Sequence, residues 1–221
     1  MPHPRCSDLF WLASSLALTG LALAAVAPWD LSLSRRLADP SAPFGAFVQD
    51  WGRLPARGFA FGVAALLAVP AWRRSSPLLV RASAALGAQF FLHAGLLTNL
   101  LKLLGGRTRP AHLGGAGEGF SPFYALAPGL GDFSFPSGHV AVSMVLAPCV
   151  LLFFRAGSPG AAAGLAGATA VWAGLVAYGR VLSGAHFPTD VLASVGLGIV
   201  LAPVSLALGD RLVARLSRTA A

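Results

Sequence analysis

The chain has 221 residues, 56% hydrophobic and 11% charged, with 16 Lys and Arg against 8 Asp and Glu. Soluble domains carry roughly 25% charged residues, so this composition excludes an ordinary soluble globule and points to an integral membrane protein. The net charge of +8 does not make a nucleic-acid binder, because the basic residues are strewn between apolar runs and not clustered on one soluble face.

A bilayer core about 30 Å thick needs about 20 apolar residues of helix. Six candidate spans meet or approach that length: Leu9–Ala27, Phe59–Trp72 (short, with Leu54 as an earlier start), Leu78–Leu104, Val140–Phe154, Ala161–Val181 and Val191–Leu208. Arg5, the apolar run from Leu9 and the small residues Ala25-Val26-Ala27 imitate a secretory signal. That run is long for a signal, further spans follow and Pro28 sits just past the cut, so it reads as a retained first span. Gly62, Pro70 and Pro148 are ordinary inside membrane helices, and the run AAAGLAGATA from Ala161 permits close helix packing. Trp11, Trp29, Trp51 and Trp72 fit interfacial belts. No long-period repeat and no soluble second domain are visible. The expected fold is an all-α polytopic bundle of six transmembrane helices, one membrane-embedded domain over residues 1–221. Cys6 and Cys149 make no disulfide framework.

Orientation follows from Lys and Arg in the connections. With the N-terminus inside, Arg5, Arg73, Arg74, Arg81, Arg155, Arg211, Arg215 and Arg218 lie inside; Arg35, Arg36, Arg53, Arg57, Lys102, Arg107, Arg109 and Arg180 lie outside. The tie breaks toward N-in and C-in if the 102–109 cations and Arg180 belong to a site. Whichever way the bundle points, the end of span three, start of span four, end of span five and start of span six share one face. They read LKLLGGRTRP, FPSGHVAV, AYGRVLSG and AHFPTDVL.

These segments hold the ionisable residues that a membrane span must justify. Lys102, Arg107, Arg109 and Arg180 outnumber the counter-charges near them in sequence, Glu118, Asp132 and Asp190. An excess of guanidinium implies an external anion, and paired guanidinium donors suit phosphate; the competing reading is interfacial anchors that snorkel. Pro136 suits a first helical turn. Ser137, Gly138 and His139 would then offer N–H groups without intrahelical acceptors at the positive end of the dipole, an anion site. Pro188 marks the start of span six, with Asp190 in its first turn and His186 just ahead. A carboxylate accepting the imidazole N–H fixes the tautomer and makes the other nitrogen a nucleophile. A metal held by His139, His186 and Asp190 is the rival reading, opposed by the surrounding cations. His93 and Asn99 read as interhelical hydrogen-bond partners, and His112 and Glu118 as possible head-group contacts.

Assembled, Lys102-x6-Arg109-Pro110, Pro136-Ser137-Gly138-His139 and Arg180-x5-His186-x3-Asp190 resemble the three signature motifs of the type 2 phosphatidic acid phosphatase superfamily. They occur in order, over residues 102–190. One departure is Gly179, where the family usually has Ser. The resemblance implies that His186 attacks phosphorus to form a phosphohistidine, that Asp190 orients it, and that His139 protonates the leaving oxygen and then activates water. Lys102, Arg109, Ser137, the Gly138 N–H and Arg180 would hold the phosphoryl oxygens, without metal or other cofactor. The expected function is a membrane phosphatase acting on undecaprenyl diphosphate, phosphatidic acid, phosphatidylglycerol phosphate or lipid A 1-phosphate. Its expected partners are the lipid substrate and the bilayer, with no nucleic acid and no obligate protein. The expected location is a bacterial inner membrane with the site facing the periplasm. Transfer of the phosphoryl group to another lipid is a variant of the same chemistry. An anion or lipid-phosphate transporter is the alternative class, disfavoured by the lack of repeats. Soluble vanadate peroxidases share the anion-site pattern, but six apolar spans argue against one.

Overall fold

The computed structural model describes residues 6–55, 57–58, 62, 77–126, 128 and 131–218, and its regular structure among them is entirely helical. Five stretches are long and apolar enough to cross a membrane: Leu9–Leu37, Pro77–His112, Gly138–Arg155, Pro159–Leu182 and Pro188–Ser217. They coincide with the first and the third to sixth expected spans. The second, Phe59–Trp72, lies outside the described residues, as does Trp72.

Helix α1 (Cys6–Val26) turns large apolar side chains outward, Phe10 at 76% and Leu21 at 68% exposure, as a lipid-facing helix does. The connection that follows is itself helical. A 3₁₀ turn (Ala27–Trp29) leads into α2 (Asp30–Leu37), and α3 spans Pro43–Trp51. Pro28 and Pro43 sit in first turns, where a missing N–H costs nothing. The third span is α4 (Pro77–Gln89), a π-helical stretch (Phe90–Leu97) and α5 (Thr98–Gly105). Gly106, left-handed at φ 53°, ends it.

The fourth span is broken. Helix α6 (Gly138–Ser143) passes through a 3₁₀ turn (Met144–Leu146) into α7 (Ala147–Arg155). Pro148, expected to be tolerated in place, lacks an N–H and crowds the carbonyl four residues back, so the α-helical ladder restarts at it. Helices α8 (Pro159–Leu182) and α9 (Pro188–Arg218) complete the bundle.

The main core joins Ala82, Ala85 and Leu86 of α4, Val145 and Leu152 of the fourth span, and Leu206 of α9. Gln89 pins α4 to α9 inside it, donating to the Gly198 carbonyl (2.9 Å) and accepting from Ser205 Oγ (2.6 Å). At the end away from the motifs, Arg81 grips Asp210 through Nε and Nη2 at 2.7 and 2.9 Å. A second cluster, Val48, Val140, Val176, Val181 and Val191, lies beneath the motif residues and draws α3 onto α8. The polar residues of span three differ from expectation. Asn99 bonds back to the Ala94 and Gly95 carbonyls of its own helix. Buried His93 has no hydrogen-bond partner among the described residues.

Candidate active site

The ends of α5 and α8 and the starts of α6 and α9 meet at one end of the bundle, and they bring together every motif residue singled out above. Val191 and Val140 hold the first turns of α9 and α6 in the second core cluster. The Ser137 N–H donates to the Asp190 carbonyl (3.2 Å), and Ser194 Oγ donates to the Ser137 carbonyl (2.9 Å). Ser137 is the N-cap residue and Gly138 the first helical residue, so Pro136 lies before the cap and not in the first turn. Since the Ser137 N–H is spent on Asp190, the N–H groups left to an anion are those of Gly138 and His139.

The turn between α8 and α9 folds back tightly, with the Ala185 and His186 N–H groups on the Arg180 carbonyl at 3.1 and 3.3 Å. This brings His186 Nδ1 to 3.6 Å from Asp190 Oδ2. The separation exceeds a hydrogen bond, so the pair is an electrostatic approach that a small ring movement would close. Burial pushes the His186 imidazole down to about 4, with Asp190 pulling the other way, which leaves it neutral and nucleophilic near pH 7. Asp190 is fully enclosed. Its Oδ2 accepts from Ser134 Oγ (2.6 Å) and the Phe187 N–H (2.9 Å), and its Oδ1 from Arg107 Nη1 (2.6 Å).

Arg107 is not an interfacial anchor. It is 1% exposed and lies 3.9 Å over the Phe187 ring. Beyond Asp190 it donates to Asp30 (2.8 Å), Thr189 Oγ1 (3.0 Å) and the Ser121 carbonyl (2.8 Å). Asp30 also accepts from the Thr189 N–H (2.9 Å) and hydroxyl. One arginine therefore ties the start of α2 to the start of α9 and braces the carboxylate beside His186.

The remaining cations form a second group. Lys102, which donates to the Phe133 carbonyl, lies within electrostatic reach of Arg53, Arg109 and Arg180. The buried Nε atoms of Arg53, Arg109 and Arg180 have no hydrogen-bond partner among the described residues, and neither has Ser137 Oγ. Orphaned buried donors are rare in folded proteins. Several converging on one place make a cradle for an anion with several oxygens, which is what phosphate offers.

His139 brings a surprise. Its Nδ1 lies 3.0 Å from Arg53 Nη2 and its Nε2 lies 3.1 Å from the Gln49 carbonyl. A guanidinium only donates and a carbonyl only accepts, so the partners assign the neutral Nε2–H tautomer. Gln49 also accepts from Arg180 Nη1 through its side-chain oxygen. Gln49, Arg53, Asp30, Ser134 and Thr189 are thus site or support residues that motif reading missed. Gly179 has a local reason: a Cβ there would come within 2.5 Å of Val48, so the place of the family's usual Ser is taken by α3.

Peripheral to this, His112 pairs with Asp132 at 2.7 Å, and the Arg109 N–H donates to the same carboxylate oxygen. Burial raises the Asp132 carboxyl, but those two contacts hold it below its ordinary value. His112 is therefore engaged on the protein, and Glu118 lies against Gly114. Among the described residues, no group of three or more His, Cys, Asp or Glu side chains is placed to hold a metal ion.

The lipid A 1-phosphatase of Rhizobium etli is 40% identical over 118 residues, 51% of this chain and 46% of that protein. The lipid A 1-phosphatase of Rhizobium johnstonii is 40% identical over 119 residues, 51% of this chain and 43% of that protein. The match spans less than half the length of either relative. No solved structure matches the chain. The stretch 78–213, which contains all three motifs and the helices that carry them, matches the model of the PAP2 superfamily; a bundle whose one polar end is built from that family's residues belongs to the PAP2 superfamily.

Proposed function

We propose that the protein is an integral-membrane phosphatase that removes a phosphoryl group from a lipid phosphate. The observation that carries this reading is His186 lying 3.6 Å from a braced carboxylate, near a cluster of cations and a serine with unpartnered buried donors. In the first step His186 Nε2 attacks phosphorus, an N–P bond forms and the bond to the lipid oxygen breaks. His139, protonated on both nitrogens when it acts as the acid, gives a proton to the leaving oxygen and becomes neutral. In the second, His139 takes a proton from water, the water oxygen attacks phosphorus, the N–P bond breaks and orthophosphate leaves. Lys102, Arg109, Ser137, the Gly138 N–H and Arg180 hold the phosphoryl oxygens; positioning and charge stabilisation of this kind carry most phosphoryl-transfer catalysis. No step needs a metal, because the cations do the charge neutralisation.

The relatives' activity supports lipid A 1-phosphate as the first substrate to try. A panel of that lipid, phosphatidic acid, phosphatidylglycerol phosphate and undecaprenyl diphosphate, read by inorganic phosphate release with and without chelator, tests the proposal. Phosphate release is expected to survive chelator and to vanish in His186→Ala. A His186→Ala protein that hydrolyses as fast as wild type sinks the mechanism, and loss of activity on chelation sinks its metal independence.

A further inference from the structure

Arg53 lies outside the stretch that matches the family, 78–213, yet it touches one of the motif histidines. It follows α3 and is only partly buried, with Nη2 3.0 Å from His139 Nδ1 and Nε buried without a partner. Nε and Nη2 form one edge of the guanidinium, the edge with which Arg81 grips both oxygens of Asp210 elsewhere in this chain. At Arg53 that edge meets one neutral imidazole nitrogen. Burial, Arg57 and Arg109 all disfavour the charged form of Arg53, and an oxyanion beside it would offset each of these effects. The helix that delivers it is well fixed: Val48 packs on Gly179, and Gln49 binds both His139 and Arg180.

We propose that Arg53 is a phosphate-binding residue of this site, whose Nε–Nη2 edge leaves His139 Nδ1 for the phosphoryl oxygens when a lipid phosphate arrives. The inference rests on the phosphatase reading above. Charged acceptors hold guanidinium roughly twice as strongly as neutral ones, and in paired geometry, so a dianion outcompetes the imidazole. The exchange also resolves a conflict at His139. Both its nitrogens are engaged in this arrangement, and release of Nδ1 gives it the free position needed to take up a proton and pass it to the leaving oxygen. In this chain Val48 of α3 occupies the space of the serine side chain that the family usually places before Arg180, and Arg53, just past α3, brings a guanidinium to His139 instead.

The test is kinetic. Wild type, Arg53→Gln, Arg53→Lys and, as a neighbouring-charge control, Arg57→Gln are assayed on phosphatidic acid and on whichever panel lipid is hydrolysed fastest. Inorganic orthophosphate serves as competitive inhibitor. Gln keeps a donor for His139 but loses the charge and the fork. Its KM and its Ki for orthophosphate are expected to rise together, about ten- to a hundredfold, the equivalent of a charge-assisted hydrogen bond. Arg57→Gln is expected to leave both within about twofold. If the Gln variant does not accumulate in membranes, Arg53→Lys reads the same quantity, with a several-fold rise expected. An unchanged Ki in a folded Arg53 variant of an enzyme that wild type shows to be active overturns the inference alone, even if kcat falls. A wild type that releases no phosphate from any lipid of the panel overturns the phosphatase reading and this inference with it.

Discussion

Arg107 and Lys102 sit five residues apart on one short stretch of chain and have different hydrogen-bond partners. Arg107 spends its donors on Asp30, Asp190, Thr189 and a carbonyl, so its charge is cancelled within the protein. Such a buried cluster contributes little net stability but leaves an uncompensated charge if any member is removed. What it supplies is a carboxylate held beside His186, whose imidazole burial keeps neutral. A pH prediction follows. A nucleophile with a lowered value stays competent as pH falls below 6.5 and fails only as pH falls through the lowered value near 4. The acid limb of kcat/KM, followed by phosphate release on whichever panel lipid is hydrolysed fastest, is therefore expected well below pH 6.5. A limb at or above 6.5 contradicts a buried neutral His186. The motif residues themselves were legible because their spacing is local in sequence. Asp30 is not legible from local charge patterning, because it lies 77 positions from Arg107. The signal existed, since the end of the first apolar run shares a face with the end of the third.

At the scale of elements, α3 is the piece that sequence did not disclose. Pro43–Trp51 is nine residues long, too short for a span, and its importance lies in contacts with residues about 90 and 130 positions away. Local patterning carries no trace of such contacts. The break at Pro148 was closer to hand, because proline interrupts the hydrogen-bond ladder wherever it falls in a helix interior. Helix α3 also makes Gly179 testable. Gly179→Ser places a Cβ where Val48 already lies, so overpacking of about 1–3 kcal/mol is expected, with α3 displaced and Gln49 and Arg53 pulled from the site. Thermal unfolding in detergent should show the loss of stability, and phosphate release a fall in kcat/KM of about tenfold or more. Val48→Ala in the same chain is expected to recover most of both by making room. A Gly179→Ser protein that is as stable and active as wild type removes the steric account of that departure from the family.

For the whole molecule, the partners of the cations bear on the condition under which the charge count favours N-in and C-in. Arg107 is neutralised by Asp30 and Asp190, and Lys102, Arg109, Arg180 and Arg53 converge on the site. With Arg81 likewise held by Asp210, the span order expected from sequence sets Arg35, Arg36 and Arg57 on the site side against Arg5, Arg73, Arg74, Arg155, Arg211, Arg215 and Arg218. On the positive-inside rule we propose that the site lies outside and both termini inside. In a Cys6→Ser, Cys149→Ala background, Leu126→Cys reports on the site face, where Leu126 is 72% exposed. Ala156→Cys and Ser217→Cys, both at exposed positions, report on the opposite face. A membrane-impermeant thiol reagent added to intact spheroplasts is expected to label Leu126→Cys and to reach the other two only after permeabilisation. The reverse pattern would invert the bundle and put the head group of the substrate on the cytoplasmic side, where a phosphatase of this build would draw on a different pool of lipid phosphates.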